Sequence, residues 1–260
     1  MKISVSIVVH NEARFLRACL ESVKWADEII IVDTGSTDDS VKISAEYTAK
    51  IFIVENNPNI NINKQKGIEK CSGDWILYLD PDEEIPSALA DEFKAAVKES
   101  AADAYLIPRK NIFFGKWLKW GGHYPDYQLR FFKKGHAHFP CEDIHERLAI
   151  DGIIGKMKTP FLHYTAISKE FYRDKLKIKA EFIGRKVYEK RGSKRFQPFV
   201  KYMILKPMAY FIIYFLFKGE FLNGAAGIWA FKFKVLNAAM NYQHYVKCIV
   251  ENEDENNTSA

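Results

Sequence analysis

Few features of the chain would staple or anchor it. Its 260 residues include four cysteines, Cys19, Cys71, Cys141 and Cys248, with no CxxC pair and no zinc-ligand spacing. Scattered thiols of this kind suit the reduced, buried cysteines of a cytosolic protein better than a disulfide framework. The opening "MKISVSIVVHNEARFL" is interrupted at His10-Asn11-Glu12, so it lacks a signal peptide's h-region, and the chain is expected to stay in the cytosol. The apolar run Pro207 to Phe217 falls short of the roughly 20 residues a bilayer crossing needs. No internal repeat is visible. The turn "VVHNEARF" has no glycine, which counts against the Gly-rich phosphate loop of nucleotidyltransferases. No nucleic-acid motif accompanies the net charge of +5, so no nucleic-acid partner is expected.

What is present is a strand–helix alternation. Ile3 to Val9 reads as a strand buried on both faces, and "NEARFLRACLESVKWA" as an amphipathic helix. "EIIIVD", "KIFIV" and "DWILYLD" give three more strands, separated by the helical stretches "SVKISAEYTA" and "NINKQKGIEKCSG". This predicts an α/β fold with a mostly parallel sheet and helices on both faces. A surface helix is expected from Ser87 to Lys98, followed by aromatic-rich strands and a strand pair turning at Asp151-Gly152. The expected divisions are a catalytic domain over 1–167 (a nucleotide half 1–98 and an acceptor half 99–167), a basic, aromatic helical region over 168–250, and a disordered acidic tail over 251–260.

In such sheets ligands bind at the carboxyl ends of the strands. Three predicted strand tips are acidic: Glu12 after the first, Asp33 after the second, Asp80 and Asp82 after the fourth. "DPDEE" concentrates four carboxylates in five positions, which repel one another unless positive charge sits among them. An Asp-x-Asp turn suits a hard divalent cation, Mn²⁺ or Mg²⁺, that keeps positions open for a diphosphate. Lys64 and Lys66 in the preceding helix add positive charge near the same phosphates.

The stretches "VSIVVHNEARFLRACLESVKWADEIIIVDTGSTDDSV", "GDWILYLDPDEE", "GGHYPDYQLRFFKKG" and "DIHERL" together resemble family-2 glycosyltransferases, in particular bacterial enzymes like the lipopolysaccharide-core β-glucosyltransferases. The likeness covers about residues 1–165 and implies a GT-A fold, a nucleotide-sugar donor (most simply a UDP-sugar), a divalent metal and single-displacement inversion. Two departures stand out: Pro81 replaces a small residue between the aspartates, and Gly67 replaces an asparagine after Gln-Lys.

The resemblance places Asp33 at the donor base, with an Asx turn to Gly35 and Ser36 as the alternative. Asn11 and Glu12 either contact nucleotide or cap the first helix. Asp80 faces ribose or metal, and Asp82 ligates the metal. The general base that deprotonates the acceptor hydroxyl is expected in "CEDIHERL", with Glu146 first, Asp143 second and Asp126 third. His163 and His145 are either core residues or further metal ligands, the latter by analogy with related enzymes. Trp117, Trp120, Tyr124 and Tyr127 are acceptor-stacking candidates. Arg130 could face phosphate or pair with a carboxylate.

Between Lys169 and Lys206 there are thirteen Lys and Arg against four Asp and Glu. With the aromatic stretch that follows, this reads as a surface for an anionic membrane. The expected function is an inverting glycosyltransferase using a nucleotide sugar and a lipid-linked envelope glycan, peripheral on the inner face of the cytoplasmic membrane. The alternatives are a metal-dependent nucleotidyltransferase or an inactive membrane-docking protein.

Overall fold

A computed structural model describes residues 1–99, 101–142, 146–194 and 196–258. The first part alternates β1 (Ile3–Val9), α1 (Ala13–Ser22), β2 (Glu28–Asp33), α2 (Ser40–Ala45), β3 (Ile51–Ile53), α3 (Ile60–Lys70) and β4 (Trp75–Leu79). After them come β5 (Glu83–Glu84), α4 (Ser87–Glu99), β6 (Ala104–Phe113), β7 (Lys116–Trp117), β8 (Asp126–Lys133), β9 (Ala137–His138), β10 (Ala149–Ile150), β11 (Ile154–Lys156) and β12 (Phe161–Ala166).

The main sheet runs β3-β2-β1-β4-β8-β6-β12-β5. β3, β2, β1 and β4 are mutually parallel, and β8 enters antiparallel between β4 and β6. This is the expected mostly parallel α/β sheet. Each face carries its own core. Phe15, Leu16, Cys19 and Leu20 of α1 are buried, and Leu16, Cys19 and Leu20 join Val5, Ile7, Trp75 and Phe93 on one side. On the other side Ile68 and Cys71 pack with Ile30, Val32 and Phe132. Gly67 explains one departure noted above: a Cβ there would lie 2.3 Å from Ser6 Oγ, so α3 meets β1 only if this position has no side chain. The strand pair expected at Asp151-Gly152 does not form. β10 pairs with β9, and β11 runs parallel to β6, because Asp103 Oδ2 accepts from Ile153 N and draws that segment to the sheet.

The chain divides into two compact units, 1–110 with 125–164, and 111–124 with 165–260. The second takes in the aromatic loop before β8 as well as the chain from 165 onward. In it, α5 (Lys169–Arg191) is capped by Ser168, whose Oγ accepts from Phe171 N. The helix α6 (Phe196–Phe217) has 22 residues, with π-helical turns over Val200–Leu205 and Tyr210–Phe217, and α7 spans Ala225–Thr258. The continuity of α6 through Pro207 removes the length objection to a bilayer crossing, since its length and composition satisfy that requirement. α7 continues to Thr258, through most of the segment that composition alone reads as a disordered tail. α5 and α7 pack through Leu176, Ala180, Phe233 and Met240. Gly184 has no room for a Cβ, which would lie 2.7 Å from Tyr245 N.

Candidate active site

The tips of β1, β2 and β4 converge on one cavity of about 520 Å³, lined among others by His10, Glu12, Thr34, Asn63, Lys64, Asp80, Asp82 and His163. The first tip turns sharply at Asn11, which adopts φ +55°. Its Oδ1 accepts from Thr37 N at 2.7 Å and Asp38 N at 3.3 Å, so Asn11 organises the β2–α2 loop rather than capping α1. Glu12 stands at the α1 N-cap without a side-chain capping bond and instead lines the cavity.

Of the two readings of Asp33, the Asx turn is the one observed. Oδ2 accepts from Gly35 N and Ser36 N at 3.0 Å, the Asx turn, made with Gly35 at φ +85°. Oδ1 is buried with no hydrogen-bond partner among the described residues. A buried acceptor left unmatched costs about 1–3 kcal/mol. Asp33 itself does not line the cavity, whereas its neighbour Thr34 does.

The four carboxylates of the β4 tip have separate environments. Asp80 Oδ1 pairs with Lys64 at 2.8 Å and Oδ2 with Arg130 Nη2 at 2.7 Å. The same nitrogen reaches Glu83 Oε1 at 2.7 Å, and Arg109 stands 3.8 Å from Glu83 while binding Asp126 at 2.7 Å. A chain of alternating charge therefore runs Lys64–Asp80–Arg130–Glu83–Arg109–Asp126. Burial works to raise the Asp80 carboxyl, but Arg130 and Lys64 outweigh it and hold it well below the usual range. Burial dominates at Glu83, which is fully inaccessible, and pushes its carboxyl up. Arg130 itself stacks on Tyr78, 4.4 Å from the ring centre. Of its two possible roles, pairing with carboxylates is the one observed.

Asp82 differs from these. β5 pairs antiparallel with β12, setting His163 opposite Glu83, with Tyr164 N donating to Asp82 O at 2.9 Å. This register brings His163 Nε2 to 3.7 Å from Asp82 Oδ2, and both line the cavity. Among the described residues no group of three or more His, Cys, Asp or Glu is arranged to hold a cation. One carboxylate and one imidazole nevertheless fit Mn²⁺ or Mg²⁺, which commonly takes one or two protein ligands and fills the remainder with water and substrate phosphate. Asp80, committed to cations through both oxygens, offers less. Lys66 lines neither this cavity nor the next.

A second cavity in the same unit, about 540 Å³, is lined among others by Tyr78, Asp126, Tyr127, Arg130, Glu146 and Arg147. Lys64 lines both cavities. Glu146 Oε1 accepts from Glu142 N at 2.8 Å. Asp126 receives Nε and Nη2 of Arg109 at 2.9 and 2.7 Å, and Gln128 Nε2 at 2.7 Å. Asp143 and His145 lie outside the described residues. The aromatic candidates separate: Tyr127 belongs to the first unit, Trp117, Trp120 and Tyr124 to the second. There the Trp117 and Tyr124 rings meet edge-on at 5.0 Å.

Sequence reasoning missed Asn63 and Arg109. Asn63 is buried, lines the first cavity and has an Oδ1 without a partner among the described residues. Its position four residues after the Asn59 cap of α3 was the available signal. Nothing in the sequence marks the Arg109 contacts, which join strands 17 and 26 residues apart in the chain.

A sequence profile described as "Glycosyl transferase family 2" matches residues 4–148. An uncharacterized glycosyltransferase of Rickettsia felis is 38% identical over 108 residues, 40% of this chain and 37% of that protein. The lipopolysaccharide core biosynthesis glycosyltransferase LpsC of Rhizobium meliloti is 25% identical over 277 residues, 98% of this chain and 97% of that protein. The S. aureus TarS 1-349 crystal structure superposes with a TM-score of 0.49 at 14% identity, covering 98% and 92% of the two chains. Against several curated relatives, R. felis among them, the chain spans about a third of their length.

Proposed function

Because the chain belongs to glycosyl transferase family 2, we propose that it moves a sugar from a UDP-sugar to a lipid-linked envelope glycan, with inversion, at the inner face of the cytoplasmic membrane. The observation that carries this reading is the convergence of three strand tips, with Asp82, His163 and Lys64, on one cavity. Asp33, next to the cavity-lining Thr34, would hold the donor's base, its buried Oδ1 being left without a partner among the described residues. Asn63 and Lys64 meet the ribose and diphosphate, and Glu12 and Asp80 complete the polar wall. Asp82 and His163 would hold Mn²⁺ or Mg²⁺, which when bound neutralises charge developing on the leaving diphosphate.

Glu146 takes the proton of the acceptor hydroxyl as its oxygen attacks the anomeric carbon. The new C–O bond forms opposite the breaking bond to the diphosphate, which leaves with the electron pair, so the configuration inverts. Asp126 is the less available base, because its carboxylate already accepts two hydrogen bonds from Arg109 and one from Gln128. Stacking on Tyr127, which lines the same cavity as Glu146, would orient the acceptor sugar. The charge of α5 and the exposed apolar surface of α6 support a membrane-borne acceptor, as does likeness over nearly the whole chain to a lipopolysaccharide core enzyme.

The test is incubation with UDP-, GDP- and ADP-sugars plus Mn²⁺, reading free nucleoside diphosphate, alongside calorimetry of Mn²⁺ with and without UDP. UDP release from one donor, lost in Asp82→Asn, is expected, together with Mn²⁺ uptake that strengthens when UDP is present. No release from any donor, or Mn²⁺ binding indifferent to UDP and to Asp82→Asn, overturns it.

A further inference from the structure

The second unit carries an apolar helix with nothing folded over most of it. Only 6% of the most apolar window of α6 is buried, and Phe196, Leu205, Met208 and Phe217 are 77, 57, 54 and 83% exposed. A helix apolar around its circumference belongs in a core or in lipid. It does not cross a bilayer alone, because it is tied lengthwise to α7: Phe199 meets Tyr242 at 5.6 Å, and Phe211 and Phe215 meet Phe231 at 6.0 and 5.0 Å. Between Phe231 and Tyr242, α7 carries Lys232, Lys234, Asn237 and Asn241, groups too costly to carry across hydrocarbon. Lys206, halfway along α6, argues the same way. Lying in the interface satisfies both the apolar surface and the lysines.

The turn that ends α6 is locked to the aromatic loop. Gly219, at φ +67°, leads into a single turn Glu220–Asn223 that exposes Phe221 and Leu222. Asn223 Oδ1 accepts from Lys119 N at 2.8 Å and Trp120 N at 3.0 Å, its Nδ2 donates to Trp120 O at 3.0 Å, and Gly121 N donates to Lys218 O at 2.8 Å. Beneath them Glu220, fully buried, receives Lys234 Nζ at 2.5 Å and His123 Nε2 at 2.7 Å. A Cβ on Gly121 would lie 2.8 Å from Glu220 Cβ, so the loop closes onto the turn only with glycine there. Trp120, 47% exposed, is thereby fixed beside this turn, with Lys119 and Lys218 flanking it.

We propose that α6, the Phe221–Leu222 turn and Trp120 form one surface that lies in the headgroup–acyl boundary of an anionic bilayer leaflet, and that the Asn223 and Glu220 contacts make the loop 117–124 move with it. The occupant is lipid rather than a protein because the surface pairs a Trp, Phe and Leu face with Lys119, Lys201, Lys206 and Lys218, the composition of an interfacial helix on anionic headgroups. This rests on the reading of the second unit as membrane-associated and goes further in naming the contact face and the loop it sets.

The experiment uses the full chain with vesicles of phosphatidylglycerol and phosphatidylcholine, pure phosphatidylcholine, and brominated lipid as a quencher of tryptophan fluorescence. Expected is sedimentation with the anionic vesicles, weakened about tenfold or more by Phe217→Glu with Leu222→Glu, while UDP-sugar hydrolysis in vesicle-free solution is unchanged. Quenching by brominated lipid should largely disappear in Trp120→Phe. It should also fall in Asn223→Ala, which keeps its vesicle binding. No binding by the parent protein defeats the membrane reading itself. Binding by the parent and the double variant alike defeats only this surface. A dimer in solution that the double variant disperses assigns the surface to a second copy and overturns the proposal.

Discussion

Arg130→Met offers the sharpest test of how the acidic tip is held. A single nitrogen, Arg130 Nη2, bridges Asp80 and Glu83 at 2.7 Å each, and the side chain is 4% exposed. Removing one partner of a buried pair costs about 3–5 kcal/mol, because the remaining charge loses its compensation without regaining water. Two features place this case toward the lower figure. Asp80 retains Lys64, and Glu83, already pushed up by burial, can take a proton and become neutral. A loss of about 3 kcal/mol corresponds to roughly 6–12 °C in Tm for a chain of this size. Methionine keeps most of the volume over Tyr78, so little of the change comes from a void. Calorimetric melting at pH 7 checks the figure. Adding Glu83→Gln to Arg130→Met should recover part of the loss, since one of the two stranded carboxylates is then removed. A melting point for Arg130→Met within about 2 °C of the parent, on the same scale, would refute the charge chain as a stabilising element.

Other outcomes follow from single contacts. Burial opposes the charge on Glu28, but hydrogen bonds from Lys50, Ser4 and Ser72 bring its carboxyl from 4.5 down to about 2. Because the folded value is the lower one, this stabilisation is complete above about pH 4.5 and disappears as pH falls toward 2. Glu28→Gln should cost up to about 3 kcal/mol at pH 7 and almost nothing at pH 2; urea midpoints that differ equally at both would contradict it. Gly67→Ala should lose about 1–3 kcal/mol through overpacking on Ser6 and Val32, partly restored by Ser6→Ala, whereas an unchanged urea midpoint would show that α3 has slack. Glu146→Gln should lower sugar transfer about 10²–10⁴-fold with UDP binding intact. Asp126→Asn should instead lower thermal stability through Arg109, and the opposite assignment would exchange the two roles.

The parallel half of the fold was legible because its strands are local and buried on both faces. Ile3–Val9 needs no partner to be recognised, and β1 appears over those same residues. The converging tips could be read for the same reason, since topology alone brings the ends of parallel strands to one edge. Pairings of the antiparallel half were not legible. Gly152 looks like a hairpin turn in sequence, yet β11 joins β6 because Asp103, 50 residues away, captures Ile153 N. The limit at Arg130 was likewise one of partner and not of type: an arginine in a strand announces a buried counter-charge, but Asp80 lies 50 positions earlier. α6 shows a third kind of limit, since a window centred on the apolar run stops at Pro207 while the backbone continues helically from Phe196.

Crowding negative charge at a strand tip has an obvious cost, and the sequence admits a bound cation as the whole compensation. The structure divides that compensation. Asp80 and Glu83 are balanced by Lys64, Arg130 and Arg109, all supplied by the chain itself, and Glu84 accepts from Tyr164 Oη at 3.1 Å. These internal cations hold the turn in place before any ligand arrives, so the geometry around Asp82 does not depend on an external charge. Asp82 then faces the cavity with His163 as its neighbour, a pair with too few donors to enclose a divalent ion unaided. Phosphate oxygens of a nucleotide would supply the missing ligands, and the ion would in turn relieve their repulsion with Asp80 and Asp82. On the proposed function, each of the two ligands would depend on the other because the tip is neutralised mostly from within. A tip left wholly uncompensated would take up cations with no nucleotide present.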